Sequence, residues 1–208
     1  MTETLTIDQV MRTSPVIPVI TYDGAINAAE LARTFVANGL RVIEITLRTP
    51  QALDCIRAMA EVEGAIVGAG TVLNEQHLDQ AIAAGSKFIV SPGLTETLGR
   101  AAIARRIPFL PGIANASDLM RGMELGLSRF KFFPAEASGG RAALKAISGP
   151  FGDIRFCPTG GITAETAADW LAIDPVLCIG GSWLLRAGET DLAAIGARAK
   201  AAAALRQG

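Results

Sequence analysis

The sequence predicts an α/β fold of the (β/α)₈ barrel type, a single domain over residues 1–208. Three observations carry this. Eight short, β-rich apolar runs recur along the chain. Stretches rich in Ala, Leu, Glu and Arg separate them, and the repeat is about 20 to 25 residues long. Such alternation calls for parallel strands joined by crossover helices, and eight units suit a closed barrel. A doubly wound open sheet shares the alternation. It usually carries a dinucleotide or P-loop fingerprint, and the chain has neither.

A short helix opens the chain, followed by the first strand, "PVIPVI" (15–20). The later strands are "LRVIEITL" (40–47), "AIVGAG" (65–70), "KFIVS" (87–91), "IPFLPG" (107–112), "RFKFFP" (129–134), "DIRFCP" (153–158) and "PVLCIG" (175–180). Helices such as "GAINAAELARTFVANG", "NEQHLDQAIAAG" and "ASDLMRGMELG" lie between them and end in Gly, a helix C-terminal signal. Asn74 and Thr163 stand where N-caps belong, with Glu or Gln nearby. A last helix is expected over 189–205.

Composition narrows the function. Half of the 208 residues are hydrophobic, enough for the core of one large domain. Net charge is −1 with no block of like charges, so neither nucleic acid nor an anionic membrane has an electrostatic footprint. Aromatic residues are too few for a base-stacking platform. The segment "MTETLTIDQVMRTSP" lacks the basic and apolar regions of a secretory signal, and no apolar run is long enough to span a bilayer. Cys55, Cys157 and Cys178 are odd in number, far apart and in apolar contexts. They read as buried small hydrophobes of a cytoplasmic protein. The single histidine, His77, has no partner at ligand spacing and is expected on a helix surface. No carboxylates gather at the strand ends, so neither metal nor cofactor is predicted.

Strand alternation then sorts side chains by face. In "RVIEITLR", Ile43, Ile45 and Leu47 face the helices, while Val42, Glu44, Thr46 and Arg48 enter the barrel. In "RFKFFP", Phe130 and Phe132 face outward, and Lys131 and Phe133 inward. Lys131 is thus an amine inside the barrel near its C-terminal mouth, where this fold keeps its active sites, within reach of Glu44. Such a pair is either a buried ion pair or a catalytic one. A neutral amine attacks ketones and forms Schiff bases, and a nearby carboxylate moves the protons this chemistry needs.

The loops after the seventh and eighth strands, "CPTGGIT" and "CIGGSWL", each carry a Gly-Gly pair. These are the loops that often hold a phosphate in such barrels, and glycines let backbone N–H groups approach an anion. Ser182 adds a hydroxyl, and Thr159 should point inward with Cys157. Thr71 after the third strand, and Ser91, Pro92 and Gly93 after the fourth, offer a hydroxyl and backbone to a small carboxylate or keto group. Each is equally an ordinary loop residue.

The stretches "PVIPVI", "VIEITLRTP", "VGAGTVLN", "VSPGLT", "PGIANASD", "RFKFFPAE", "RFCPTGGIT" and "CIGGSWL" resemble the 2-keto-3-deoxy-6-phosphogluconate (KDPG)/KHG aldolase family, from residue 15 to about 185. The resemblance implies a metal-free class I aldolase, usually a homotrimer, acting on a phosphorylated keto acid. It implies that Lys131 is the Schiff-base lysine and Glu44 the general acid/base. Arg48 and Thr71 would hold the pyruvate-like carboxylate, and Pro92 and Phe133 would line the pocket. Gly160, Gly161, Gly181 and Ser182 would grip phosphate, and Thr159 would help sort substrate stereochemistry. Two other classes share parts of the pattern. An isomerase or synthase on a phosphate-binding barrel needs no iminium lysine, and an inactive metabolite sensor has no need to keep both Lys131 and Glu44.

Overall fold

The computed structural model describes residues 5–206. Eight parallel strands form the sheet: β1 (Val16–Ile20), β2 (Val42–Thr46), β3 (Ile66–Gly70), β4 (Phe88–Ser91), β5 (Phe109–Ile113), β6 (Arg129–Phe132), β7 (Arg155–Pro158) and β8 (Ile179–Gly181). From β1 to β7 each strand pairs with its neighbour in sequence, and β8 pairs with β1. Isolated bridges, Phe156 to Val176 and Thr159 to Gly180, bring β7 to β8 and close the barrel. All eight expected strands are present in order.

One helix precedes β1: α1 (Ile7–Thr13). The others follow the strands: α2 (Ala28–Ala37), α3 (Ala52–Ala60), α4 (Glu75–Ala83), α5 (Glu96–Ala104), α6 (Ala116–Glu124), α7 (Gly140–Ser148), α8 (Ala167–Leu171) and α9 (Leu192–Ala203). Their starts follow the chemistry of the residues. Asn27, Asn74, Thr95 and Asn115 each accept a first-turn N–H with the side chain. Gly39, Gly85 and Gly126 follow α2, α4 and α6 with positive φ. Thr163 departs from expectation. A turn intervenes before α8, and the Thr163 N–H donates to the Thr166 hydroxyl at 3.0 Å, so Thr163 does not cap that helix.

Alternation divides the core into two layers. Ile43, Ile45, Ile89, Phe130 and Phe132 pack outward under the helices. Ile17, Val42, Phe88, Val90, Leu110, Cys157 and Cys178 form an inner cluster, joined by Val10 and Met11 of α1. Helix α1 carries a capping box between Thr6 and Gln9, and Asp8 accepts from Arg129 Nε at 2.6 Å at the start of β6. The amphipathic α1 therefore seals the N-terminal end of the barrel, leaving the C-terminal mouth as the polar end.

Candidate active site

Glu44 from the middle of β2 and Lys131 from β6 meet inside the barrel. Lys131 Nζ lies 3.1 Å from Glu44 Oε1 and 3.4 Å from Oε2, and only 5% and 3% of the two residues is exposed. The Phe133 ring lies 5.3 Å from Nζ, a cation–π distance. A buried amine with a carboxylate partner is equipped for nucleophilic attack with local proton transfer.

Room for this pair comes from glycines on the inward faces of other strands. A Cβ on Gly70 would stand 2.1 Å from Glu44 Oε1. One on Gly112 would meet the Pro92 carbonyl oxygen at 2.1 Å, and one on Gly180 the Thr159 hydroxyl at 2.3 Å. Glycine is therefore required at all three positions to seat Glu44, Pro92 and Thr159. The sequence reading passed over this role, although glycines alternating on an inward face, as in "GAG", are a usable signal.

Arg48 and Thr71 come together at the mouth, with Arg48 Nε donating to Thr71 Oγ1 at 3.2 Å. Thr71 has φ of 58°, a left-handed conformation that a β-branched residue adopts at a cost of about 1–3 kcal/mol. Among the described residues this is the one hydrogen bond of the Arg48 side chain, and its other guanidinium nitrogens can meet an anion. Ser91 is different from the expectation. Its hydroxyl donates to the Gly93 carbonyl at 2.7 Å within its own loop, so it shapes the Pro92 turn and does not present a donor to a ligand.

Thr159 is buried above Cys157, and Gly160 and Gly161 follow with φ of 104° and 80°. Among the described residues, the Gly160, Gly161 and Ser182 N–H groups donate to no protein acceptor. Three unspent amides on two adjacent strand ends have the chemistry to receive an anion. The glycines have a second reason that the sequence did not reveal. A Cβ on Gly161 would meet the Glu136 side chain at 2.8 Å, and one on Gly181 the Trp183 ring at 2.6 Å.

Outside this mouth, burial pushes the Cys55 thiol up to about 12, which suits an inert core residue. His77 sits on α4 as expected, but it is half-buried with Nδ1 enclosed and not on an open surface. Among the described residues no cluster of His, Cys, Asp or Glu has the makings of a metal site, and no helix is long and apolar enough to cross a membrane.

Comparison with known proteins places this geometry in context. The family model for KDPG and KHG aldolase matches residues 7–198. The chain is 54% identical to 2-dehydro-3-deoxy-phosphogluconate aldolase of Zymomonas mobilis subsp. mobilis, over 97% of each chain. The crystal structure of the Zymomonas mobilis 2-keto-3-deoxy-6-phospho-gluconate aldolase superposes with a TM-score of 0.95 at 53% identity, covering 97% of this chain and 98% of that one. KDPG aldolase from Legionella pneumophila, with pyruvate captured at low pH as a covalent carbinolamine intermediate, superposes at 0.92 with 38% identity, covering 96% and 98%.

Proposed function

The chain belongs to the KDPG and KHG aldolase family, and on that premise we propose that it is a class I aldolase. It cleaves 2-keto-3-deoxy-6-phosphogluconate to pyruvate and D-glyceraldehyde 3-phosphate, with 4-hydroxy-2-oxoglutarate as a side substrate. The observation that carries this reading is the buried Lys131 Nζ, 3.1 Å from Glu44 Oε1 below the barrel mouth. The carbinolamine of the Legionella relative supports covalent chemistry on a lysine here too.

In this mechanism Lys131 passes a proton to Glu44 and attacks the C2 ketone. Glu44 returns that proton to the carbinolamine hydroxyl, which leaves as water and gives an iminium that draws electrons from the C3–C4 bond. Glu44, directly or through one water, takes the C4 hydroxyl proton as that bond breaks and the aldehyde departs. The enamine left on Lys131 is protonated at C3, and water frees pyruvate. Arg48, steadied by Thr71, holds the carboxylate through charge-assisted hydrogen bonds. Pro92 and Phe133 wall the keto acid, and Thr159 meets the hydroxyl-bearing carbons. The amides of Gly160, Gly161 and Ser182, backed by Gly181, take the phosphate and fix the reacting end.

We read residues 1–208 as one cytoplasmic barrel domain and its assembly as a homotrimer. The exposed side chains of Leu73, Ile103, Met120 and Met123 are apolar surface that neighbouring copies would cover. The deciding experiment is incubation with pyruvate and borohydride, then peptide mass spectrometry. A reduced pyruvyl adduct is expected on Lys131 and absent from Lys131→Arg, whose guanidinium stays protonated. An adduct on another lysine, or none, refutes the assignment.

A further inference from the structure

The rim of the barrel carries a hydroxyl that the proposed mechanism does not use. Thr21 directly follows β1, and two-residue alternation from Ile17 of the inner cluster turns its side chain inward. Its contact agrees with that placement. Thr21 Oγ1 lies 3.1 Å from Oγ1 of Thr46, which shares the inward face of β2 with Glu44. Thr46 is buried, and its single hydroxyl proton goes to the Ile20 carbonyl at 3.0 Å. Thr21 is therefore the donor between the two hydroxyls. That bond spends the Thr21 proton. The oxygen keeps its lone pairs, and among the described residues no group donates to it. Thr21 is exposed, so it presents an oriented acceptor at the mouth.

The surroundings hold it in place. Strand β1 lies between β2, which carries Glu44, and β8, which leads to Ser182. The loop that begins at Thr21 is braced internally, with Tyr22 Oη donating to the Ile26 carbonyl at 2.6 Å. It is also tied to the loop after β8, whose Gly188 N–H donates to Asp23 Oδ2 at 2.7 Å. The proposed substrate runs from a carboxylate at Arg48 and Thr71 to a phosphate at Gly160, Gly161 and Ser182. The β1 rim stands between those ends. Two hydroxyls lie along that span of the keto acid. The one on C4 gives its proton to Glu44 as the bond beside it breaks. The one on C5 has no acceptor in that scheme, and a donor left unpaired on binding costs affinity.

We propose that Thr21 is a specificity-determining residue that accepts a hydrogen bond from the C5 hydroxyl of the keto acid, the C2 hydroxyl of the departing aldehyde. Thr46 is its positioning partner, because it takes the Thr21 proton and leaves only lone pairs for the ligand. The inference rests on the aldolase reading of the mouth and adds to it the recognition of one hydroxyl.

The test runs in the synthetic direction, where the aldehyde can be varied by one group. D-glyceraldehyde 3-phosphate carries the hydroxyl, and 3-phosphooxypropanal is the same chain without it. Thr21→Val keeps the branched shape and removes the acceptor. It should lower kcat/KM for D-glyceraldehyde 3-phosphate by about three- to tenfold, with the loss on 3-phosphooxypropanal below about twofold. Thr21→Ser restores the hydroxyl and should restore the parental preference between the two aldehydes. Thr46→Val leaves Thr21 without its positioning partner and should give a smaller loss, again confined to the hydroxylated aldehyde. Equal losses on both aldehydes, an unchanged preference in Thr21→Val, or no recovery in Thr21→Ser would overturn the proposal. Parental enzyme that condenses pyruvate with neither aldehyde would overturn the aldolase reading itself.

Discussion

Gly70→Ala isolates the placement of Glu44. The backbone of Gly70 is ordinary β-strand without positive φ, so alanine fits it. The three atoms nearest the new methyl all belong to Glu44: Oε1 at 2.1 Å, Cδ at 2.7 Å and Cγ at 2.8 Å. Ordinary contact begins near 3.4 Å, so the carboxylate must retreat by about 1.3 Å, the difference between that distance and 2.1 Å. Misplacing a reacting group by about 1 Å costs on the order of 10² in rate. We expect kcat to fall by about that factor on phosphorylated and unphosphorylated substrates alike, with overpacking lowering stability by about 1–3 kcal/mol. The assay pairs steady-state cleavage with a thermal melt and borohydride trapping of pyruvate, which should still mark Lys131. In a Glu44→Ala background the same substitution should add almost nothing, because the clash is gone. A folded Gly70→Ala protein within about threefold of parental turnover would refute both the steric reasoning and the need for a placed carboxylate.

Three other outcomes follow from the same geometry. Glu44→Gln should slow cleavage by about 10² to 10⁴, and exchange of pyruvate methyl hydrogens with deuterated water should fall with it; normal exchange and cleavage by NMR would leave Glu44 a mere counter-ion. Gly161→Ala faces both a φ of 80° and the Glu136 side chain. It should reduce kcat/KM for the phosphorylated substrate far more than for 4-hydroxy-2-oxoglutarate, and equal losses would indicate a folding defect. Burial alone would raise the Asp8 carboxyl, but hydrogen bonds and charges from Arg12 and Arg129 outweigh it and hold it below the ordinary value. A depressed carboxyl stabilises the fold above its unfolded-state pKa and loses that contribution as pH falls through the folded one. Asp8→Asn should therefore lower stability by about 0.5–1 kcal/mol near neutral pH, allowing for partial exposure, and the gap to the parental protein should shrink in acid melts.

The parts legible in the sequence were those governed by local periodicity. Two-residue alternation separates Lys131 from Phe130 and Phe132, and the same rule brings Glu44 inward, so a pair 87 residues apart in the chain could be anticipated. Asn74 as a cap and the glycines after α2, α4 and α6 are likewise decisions made within one turn. What stayed hidden depends on which strand lies beside which. Gly70 makes space for Glu44 from β3, and Gly180 for Thr159 from β8, a relation that appears only once register is known. Thr21 meets Thr46 across β1 and β2, and neither residue has a local signature of that contact. Thr163 misled for the opposite reason: its composition fits a cap, but a turn delays the helix to Ala167. Ser91 was hidden by a bond within its own loop.

The seal that α1 makes across the barrel floor has a kinetic meaning. With Val10 and Met11 packed into the inner cluster, the barrel floor is closed at α1, and the C-terminal mouth is the way in. Lys131 and Glu44 are buried inside the barrel, and the amides proposed to take the distal phosphate follow β7 and β8. Traffic must then be ordered. In cleavage the aldehyde, nearer the door, leaves while pyruvate is still tethered to the lysine. In the synthetic direction pyruvate enters first, and its enamine waits for an aldehyde that can approach from one side only. The plug on the far side of the molecule thus leaves all arrivals and departures to the mouth, where the covalent tether orders them.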